Sequence, residues 1–559
     1  MLAIVLAITL ALGQAKPATP ERGTVPNGTA VVPKADGLAL SEISDNGLRA
    51  DTKFLSSDLL EGRAPSTRGG QLAAEYIAAR FAGIGLKPAG ENGTYFQPVT
   101  IVEAKVDPSA TLTVSGRTGG SEALKYSTDF VAFSGLEQSD VSADSEVVFV
   151  GYGINAPEQK WNDYAGVDVK GKIVLMMVND PPAPADEPTL FGGPALTYYG
   201  RWTYKYEEAA RQGAAAAILI HTTESASYPW QVVQTAWTGT QYSLPVEPGQ
   251  PTLPLKMWIT EDAAKTLATR AGKDLAQLRS AAGARDFKAV PLGIQLSARL
   301  HQTVSRKQSP NVVGVLQGTR TGQGVVYTAH YDHFGVRDPN PGEPADADRI
   351  YNGAVDNASG VAGILAIASA FTHAARKPAR SIYFVSTTAE ESGLLGSEYF
   401  VRHSPLPVDQ IAADINVDSL NVLGMTRDLV LLGAERSTLG PIAKAILDRQ
   451  KRTLGVDTNP GAGYFFRSDH FPFAKVGVPA VSISEPNEFI GKDPQFAKKQ
   501  HEDYRNRKYH QPIDEYDPEW DLSGAVADLT ALARLGWSVA MAPTMPAYHP
   551  QEQFAQSRR

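Results

Sequence analysis

Acidic and imidazole side chains recur in this sequence directly after short apolar runs. His330, Asp332 and His333 follow the run 325–328, the adjacent pair Glu390-Glu391 follows 381–387, and Asp418 follows 411–417. Taken singly, each has an ordinary structural explanation, since a Glu-Glu pair is typical of a solvated helix face. Their repetition at predicted strand ends favours a metal site instead.

The residue types match what a pair of metal ions needs. Two zinc ions about 3.5–4 Å apart require a bridging carboxylate and terminal ligands on each ion. Imidazoles supply neutral nitrogen donors, and carboxylates offset the charge. A further carboxylate must remain free to take a proton from the attacking water. Neighbouring side chains on a strand point in opposite directions, so one glutamate of the pair could bind metal while the other faces water.

The elements that carry these residues alternate between strand and helix. Strands are predicted at 145–151, 171–178, 215–221, 325–328, 381–387 and 411–417, and helices at 71–86, 204–212 and 361–371. This alternation predicts a doubly wound α/β sheet, in which sites form at the carboxyl ends of the strands.

Composition narrows the class of protein. The chain has 559 residues, 43% of them hydrophobic and 20% charged, which is typical of a folded protein of more than one domain. Its formal net charge is −8, without a long basic block, so we expect no nucleic-acid partner. With no cysteine, any metal site must use His, Asp and Glu.

The first residues predict export. Residues 2–12 form an apolar run followed by small residues, which is typical of a signal peptide cleaved near Ala15, although no Lys or Arg precedes the run. Residues 16–44 have no periodicity and are expected to form a flexible leader. We expect a periplasmic or extracellular protein without a stable membrane span.

Six segments together resemble the two-zinc aminopeptidases related to bacterial leucine aminopeptidases and glutamate carboxypeptidases. They occur in the order found in that family: His330-Tyr-Asp332-His333, Gly353-Ala-Val-Asp356-Asn-Ala-Ser-Gly360, Ala389-Glu390-Glu391-Ser-Gly393, Asn416-Val-Asp418, Arg467-Ser-Asp469-His470 and Tyr509-His510.

The resemblance implies a role for each matched residue. His330 and Asp418 would bind one zinc, Glu391 and His510 the other, and Asp356 would bridge them. Glu390 is the implied general base, and Tyr509 the implied oxyanion donor. Four residues would support the site or contact substrate: Asp332, Arg467, Asp469 and His470.

One ambiguity concerns the histidines. Asp469-His470 has the look of a ligand pair, but the resemblance assigns the ligand role to His510 and leaves His470 beside the site. His333 is expected to be structural. The long interval between His330 and Asp356 predicts an extra loop beside the site, around residues 337–350.

The resemblance also implies a domain division. A three-layer phosphorylase/hydrolase-like α/β sandwich with a mostly parallel sheet is expected over 45–115 and 295–545. Residues 116–294 are similar to the inserted α+β protease-associated domain, through Gly171-Lys-Ile-Val-Leu and Gly213-Ala-Ala-Ala-Ala-Ile-Leu-Ile, and 546–559 would form a C-terminal tail.

The implied function is an exported zinc aminopeptidase that holds two zinc ions and acts on peptides with a free N-terminus. A carboxypeptidase for acidic C-termini would need several cations around the substrate carboxylate, and only Arg467 lies in a matched motif. A glutaminyl-cyclase-like acyltransferase shares the fold but needs one zinc. A non-enzymatic binding protein would be expected to lack the base or a ligand.

Overall fold

The protein is described here by a computed structural model, which covers residues 37–116, 120–226, 229–339, 342–555 and 557. The predicted signal peptide and residues 16–36 of the predicted leader lie outside these ranges. The rest of that leader is ordered rather than flexible. Leu40–Glu42 form a 3-10 turn, Ile43 is buried, and the Ala39 N–H donates to the Ala370 carbonyl over 3.3 Å.

The described part of the chain contains α-helices that pack on two sheets. In chain order they are α1 to α13: Asp45–Leu55, Arg68–Ile84, Trp202–Arg211, Thr223–Ala226, Trp230–Thr238, Glu261–Arg270, Leu275–Ala282, Gly360–Thr372, Leu395–Arg402, Leu439–Arg449, His470–Lys475, Phe496–Asp503 and Ser523–Met541.

Most strands belong to two sheets. In chain order they are β1 to β21: Lys87–Pro88, Phe96–Val106, Thr111–Ser115, Glu122–Leu124, Phe130–Phe133, Asp140–Phe149, Asn155–Ala156, Trp161–Asn162, Ile173–Met177, Ala216–His221, Gln241–Ser243, Leu255–Thr260, Val290–Leu316, Arg320–His330, Gly335–Val336, Ile350–Tyr351, Arg380–Thr387, Ile411–Asn416, Asp428–Leu432, Thr453–Gly455 and Ala480–Ser484.

The main sheet has a parallel centre. Its order is β11, β2, β13, β17, β14, β18, β21, β19 and β20, with β17, β14, β18 and β21 parallel to one another. Antiparallel strands flank this centre on both sides. The predicted α/β sandwich with a mostly parallel central sheet is confirmed.

Helices cover both faces of this sheet, which explains why its central strands are apolar without alternation. On β14, Tyr327 packs against residues of α8 and α13. The preceding residue, Val326, points to the other face of the sheet and packs against residues of α9 and α11. The segment Ala354–Thr372 is long and apolar enough to cross a membrane, but 89% of it is buried inside the protein, as expected for a core helix.

One long strand joins the two sheets. In β13, residues Gln302–Val312 pair with β2 in the main sheet, and Val290–His301 pair with β6 in the second. The second sheet has the order β4, β3, β13, β6, β9, β10, β12 and β5. The predicted division at residues 115 and 295 gave β3 and residues 295–301 of β13 to the α/β sandwich, whereas both pair within the second sheet. We call the part built on the main sheet the catalytic domain, after the peptidase fold that the resemblance implies, and the part built on the second sheet the insert domain. The assignment of the insert domain to the protease-associated class stays a prediction.

The C-terminal segment packs onto the catalytic domain. The Tyr548 hydroxyl donates to the Val478 carbonyl over 3.1 Å, and Phe554 contacts the rings of Phe471 and Tyr198. The predicted tail is therefore part of the fold in residues 547–555.

Candidate metal centre and active site

The carboxyl ends of three parallel strands bring the predicted site together. His330 is the last residue of β14, Glu390 and Glu391 follow β17, and Asp418 follows β18. Asp356 lies in the turn just before α8. Strand ends of a parallel sheet meet at one edge, so residues distant in sequence become neighbours there. His510 reaches the same edge from the loop that follows α12.

Two groups of donor atoms share one carboxylate. His330 Nε2 lies 3.2 Å from Asp356 Oδ1 and 3.4 Å from Asp418 Oδ1. His510 Nε2 lies 3.4 Å from Asp356 Oδ2 and 3.2 Å from Glu391 Oε2. Asp356 thus stands between the two imidazoles, with Asp418 on one side and Glu391 on the other.

Glu390 lies against the same group of atoms. It is nearly buried, with 9% of its surface exposed, and its carboxylate falls within 4.8 Å of the ligand atoms of His330 and Asp418. Its backbone N–H donates to Asp332 Oδ1 over 3.1 Å. Both glutamates lie beyond the end of β17, in a turn closed by the Gly393 N–H on the Glu390 carbonyl. The turn, rather than the strand alternation that we expected, separates their side chains.

Negative charge dominates this edge. Burial and the carboxylates of Glu391, Asp418 and Asp469 raise the pKa of Glu390 well above its usual range. Burial opposes ionisation of Asp356, but hydrogen bonds from His330 and His510 hold its pKa well below the usual value. Burial likewise raises the pKa of Asp332 to about 7. So many buried acids facing few cations form a site that favours bound positive charge.

Several residues that position the cluster were not predicted from sequence. Asp514 is buried and accepts the backbone N–H groups of Val355 and Asp356, the latter over 3.0 Å, which fixes the turn that presents Asp356. The Ser468 hydroxyl donates to Asp418 Oδ2 over 2.6 Å. The only sequence signal for Asp514 is its position four residues after His510, and Ser468 stood inside a matched motif without an assigned role.

Two further groups hold the loops around the cluster. Arg63 is fully buried, and its guanidinium donates to the carbonyls of Tyr331, Asn352 and Gly353. His333, expected to be structural, places Nδ1 2.5 Å from Glu391 Oε1 and so contacts the cluster directly. Arg63 is distant in sequence from every matched motif, which is why sequence analysis did not identify it.

His510 and His470 have different surroundings in the structure. His510 contacts two carboxylates of the cluster, as described above, whereas His470 is fully buried beside the Phe465 ring, with centroids 5.0 Å apart. Burial lowers the pKa of His470 to about 3. The Phe465 backbone acts in the opposite direction. Its neighbour Asp469 is also buried and accepts a hydrogen bond from Thr387 over 2.5 Å.

Tyr509 and Arg467 line the cavity that opens over the cluster. The Tyr509 ring stacks on His510 with centroids 3.7 Å apart, and 46% of the tyrosine is exposed. Arg467 is exposed, with its guanidinium 5.5 Å from the centroid of the Tyr464 ring. The cavity has a volume of about 1620 Å³ and is bounded by both the catalytic and the insert domains.

Comparison with known proteins gives a family match over this part of the chain. Residues 311–533 match the model of peptidase family M28. A "Probable zinc metalloprotease" of Pyrenophora tritici-repentis is 27% identical over 250 residues, which are 38% of this chain and 53% of that protein. "Leupeptin-inactivating enzyme 1" of Streptomyces exfoliatus is 31% identical over 151 residues, 26% of this chain and 33% of that protein. The matches thus span about half or less of the length of these relatives.

Among solved structures, the match to an aminopeptidase from Aneurinibacillus sp. strain AM-1 covers 92% of this chain and 98% of that aminopeptidase chain. The sequence identity is 20% and the TM-score is 0.47. The family match includes every strand end that supplies a cluster residue, together with the loop of His510. Residues 311–533, the part of the chain that carries the cluster, are therefore similar to peptidase family M28.

Proposed function

We propose that this protein is a zinc exopeptidase, an aminopeptidase that hydrolyses the N-terminal peptide bond of peptides. The observation that carries the proposal is the pair of imidazole and carboxylate groups that share Asp356, with Glu390 beside them. The family match, together with the name of one relative, a probable zinc metalloprotease, supports zinc-dependent peptide hydrolysis.

The spacing of the donor atoms fits zinc. In a tetrahedral site with bonds of about 2.0–2.1 Å, neighbouring ligand atoms are about 3.3–3.4 Å apart. The four imidazole-to-carboxylate distances in the cluster are 3.2, 3.4, 3.4 and 3.2 Å. His330 and Asp418 would hold one ion, His510 and Glu391 a second, and Asp356 both.

Two zinc ions, when bound, would lower the pKa of water and polarise the scissile carbonyl. Glu390 accepts the proton of the attacking water and returns it to the leaving amine. Its carboxylate lies within 4.8 Å of the ligand atoms of His330 and Asp418, close enough to reach a water held at the cluster. Tyr509, stacked on His510 at the cavity wall, would donate a hydrogen bond to the oxyanion.

Charge favours cleavage from the N-terminus. The carboxylates of Glu390 and Asp418 line the cavity at the cluster, where the ammonium of a free N-terminus would be stabilised. Arg505, a cation of the same wall, is already paired with Glu485 over 2.7 Å. A carboxypeptidase would need several unpaired cations here; Arg467 and Lys508 also line the cavity, so the peptide test below decides between the two activities.

The test combines metal analysis with paired peptides. We expect two zinc equivalents per chain, loss of activity with a chelator, and recovery with zinc. Peptides should lose N-terminal residues one at a time, and N-acetylated versions of the same peptides should not be cleaved. Release from the C-terminus of acetylated peptides would establish the carboxypeptidase instead, and full peptidase activity with one zinc per chain would refute the two-zinc site.

We also propose that the protein is exported, on the basis of the apolar run in residues 2–12. Expression of the full chain with N-terminal sequencing of the product is the test. The mature protein should begin near Lys16 and be found outside the cytoplasm; an intact N-terminus in the cytoplasmic fraction would contradict export.

A further inference from the structure

The cavity extends well beyond the metal centre into the insert domain. Its volume of about 1620 Å³ exceeds the roughly 300–1,000 Å³ typical of small-molecule sites. The far wall includes Phe133 on β5, Trp237 on α5 and Lys256 on β12, all from the insert domain. A substrate of several residues, rather than a single amino acid, fits such a space.

Lys256 is the notable group on this wall. Its Nζ lies 5.6 Å from the centroid of the Phe133 ring, and Phe133 in turn packs edge-on against Trp237. Within the ranges that the structure describes, no hydrogen bond or ion pair joins this ammonium to a protein group. Burial lowers the pKa of Lys256, while the carboxylates of Glu207 and Glu398 act in the opposite direction.

Those two carboxylates already have cation partners. Glu207 accepts from Lys475 Nζ over 2.6 Å, and Glu398 forms a close contact with Arg402. The charges of these two pairs cancel, so the ammonium of Lys256 is left without its own counter-charge. A partly desolvated, unpaired cation on a cavity wall is suited to bind an anionic group of a ligand.

The cavity is therefore polarised. Its floor carries the acidic cluster around Glu390, and its far wall carries Lys256. Helix α9 begins four residues after Glu391 and lines the cavity with several side chains, and its Glu398 acts on the charge of Lys256. It has 8 residues, or about 12 Å at 1.5 Å per residue. An extended peptide covers that length with about three to four residues at 3.3–3.6 Å each.

We propose that Lys256 binds the C-terminal carboxylate of short peptides whose N-terminal ammonium lies at the acidic cluster, which makes the enzyme selective for small zwitterionic peptides. This inference rests on the proposed aminopeptidase function and adds its substrate class. Peptides that are too long to place their carboxylate at Lys256 would lose the interaction.

The direct test compares tri- and tetrapeptides with a free C-terminus against the same peptides with a C-terminal amide. Wild type should show a kcat/KM about 10–100-fold higher for the free acids, mainly through KM, since a hydrogen bond between charged groups is lost in the amides. Lys256→Met should abolish this preference while leaving the kcat/KM of the amides close to wild type, and Lys256→Arg should keep it.

Lys265→Met is the matched control. Lys265 lies on α6 of the same domain and pairs with Asp262 over 3.0 Å, away from the cavity lining, so the acid preference should be unchanged. An amide with aspartate as its last residue separates the two sources of a carboxylate: strong cleavage of it would assign Lys256 to acidic side chains and overturn the C-terminal assignment.

Failure of this inference and failure of the proposed function give different results. Equal kcat/KM for acids and amides in wild type, or an acid preference that survives in Lys256→Met, overturns the role of Lys256 while N-terminal release continues. Absence of N-terminal release from acids and amides alike overturns the aminopeptidase itself.

Discussion

Replacing His510 and His470 separately by alanine should produce opposite defects. His510 Nε2 contacts Asp356 and Glu391, so His510→Ala removes a nitrogen donor from one proposed zinc position. Mutation of a residue that only supports a ligand typically weakens metal affinity about 10–100-fold. Loss of a direct ligand should therefore weaken zinc affinity roughly 100-fold or more, or about 3 kcal/mol. Because 32% of the His510 side chain is exposed, its removal leaves little cavity.

His470 is fully buried, and its truncation leaves a cavity beside Phe465. Core truncations of this size cost about 2–4 kcal/mol in the free energy of unfolding. We therefore expect His470→Ala to be less stable in urea but to keep its zinc, and His510→Ala to lose zinc and nearly all activity with normal stability.

The assay measures zinc by equilibrium dialysis and unfolding by urea titration. Unfolding is measured in the presence of a chelator, because bound metal would itself stabilise the folded state. If His470→Ala loses zinc while His510→Ala retains it, the ligand assignment is reversed.

Two other substitutions test the support of the cluster and the stability of the fold separately. Asp514→Ala removes the acceptor for the Val355 and Asp356 N–H groups and should weaken zinc binding about 10–100-fold. Asp514→Asn keeps an acceptor oxygen and should weaken zinc binding less. Equal zinc affinity in wild type and Asp514→Ala would refute the role of Asp514 in positioning Asp356. Arg452→Met leaves Asp528 buried without its partner at 2.5 Å, so we expect a loss of about 3–5 kcal/mol in urea unfolding with zinc content unchanged, and an unfolding curve equal to wild type would contradict it.

Much of the catalytic domain could be predicted because its elements have strong local signals. The apolar runs 325–328, 381–387 and 411–417 became the central strands β14, β17 and β18. The helix expected at 71–86 is α2, whose start is capped by the Thr67 hydroxyl accepting from the Gly70 N–H over 3.2 Å. Such patterns depend on neighbours in sequence, and the sequence contains them in full.

Contacts between distant segments could not be predicted in this way. Arg63 acts through carbonyl groups of residues near 331 and 353, which carry no side-chain signature. The sharing of β13 between two sheets depends on a strand of 27 residues whose two halves have different partners. The turn that directs the side chains of Glu390 and Glu391 apart also depends on tertiary contacts rather than on strand alternation. One of these contacts is the hydrogen bond from the Glu390 N–H to the Asp332 carboxylate.

The central claim is that Glu390 moves the proton while Glu391 holds metal. This claim can fail, because Glu390 itself lies within 4.8 Å of ligand atoms of His330 and Asp418 and is close enough to bind metal. The most direct measurement is kcat together with zinc content for Glu390→Gln and Glu391→Gln. We expect Glu390→Gln to retain two zinc ions and lose about 10²–10⁴ in kcat, or about 3–5 kcal/mol, and Glu391→Gln to lose zinc. A Glu390→Gln enzyme that keeps most of its kcat, or that loses zinc while Glu391→Gln retains it, would contradict the account.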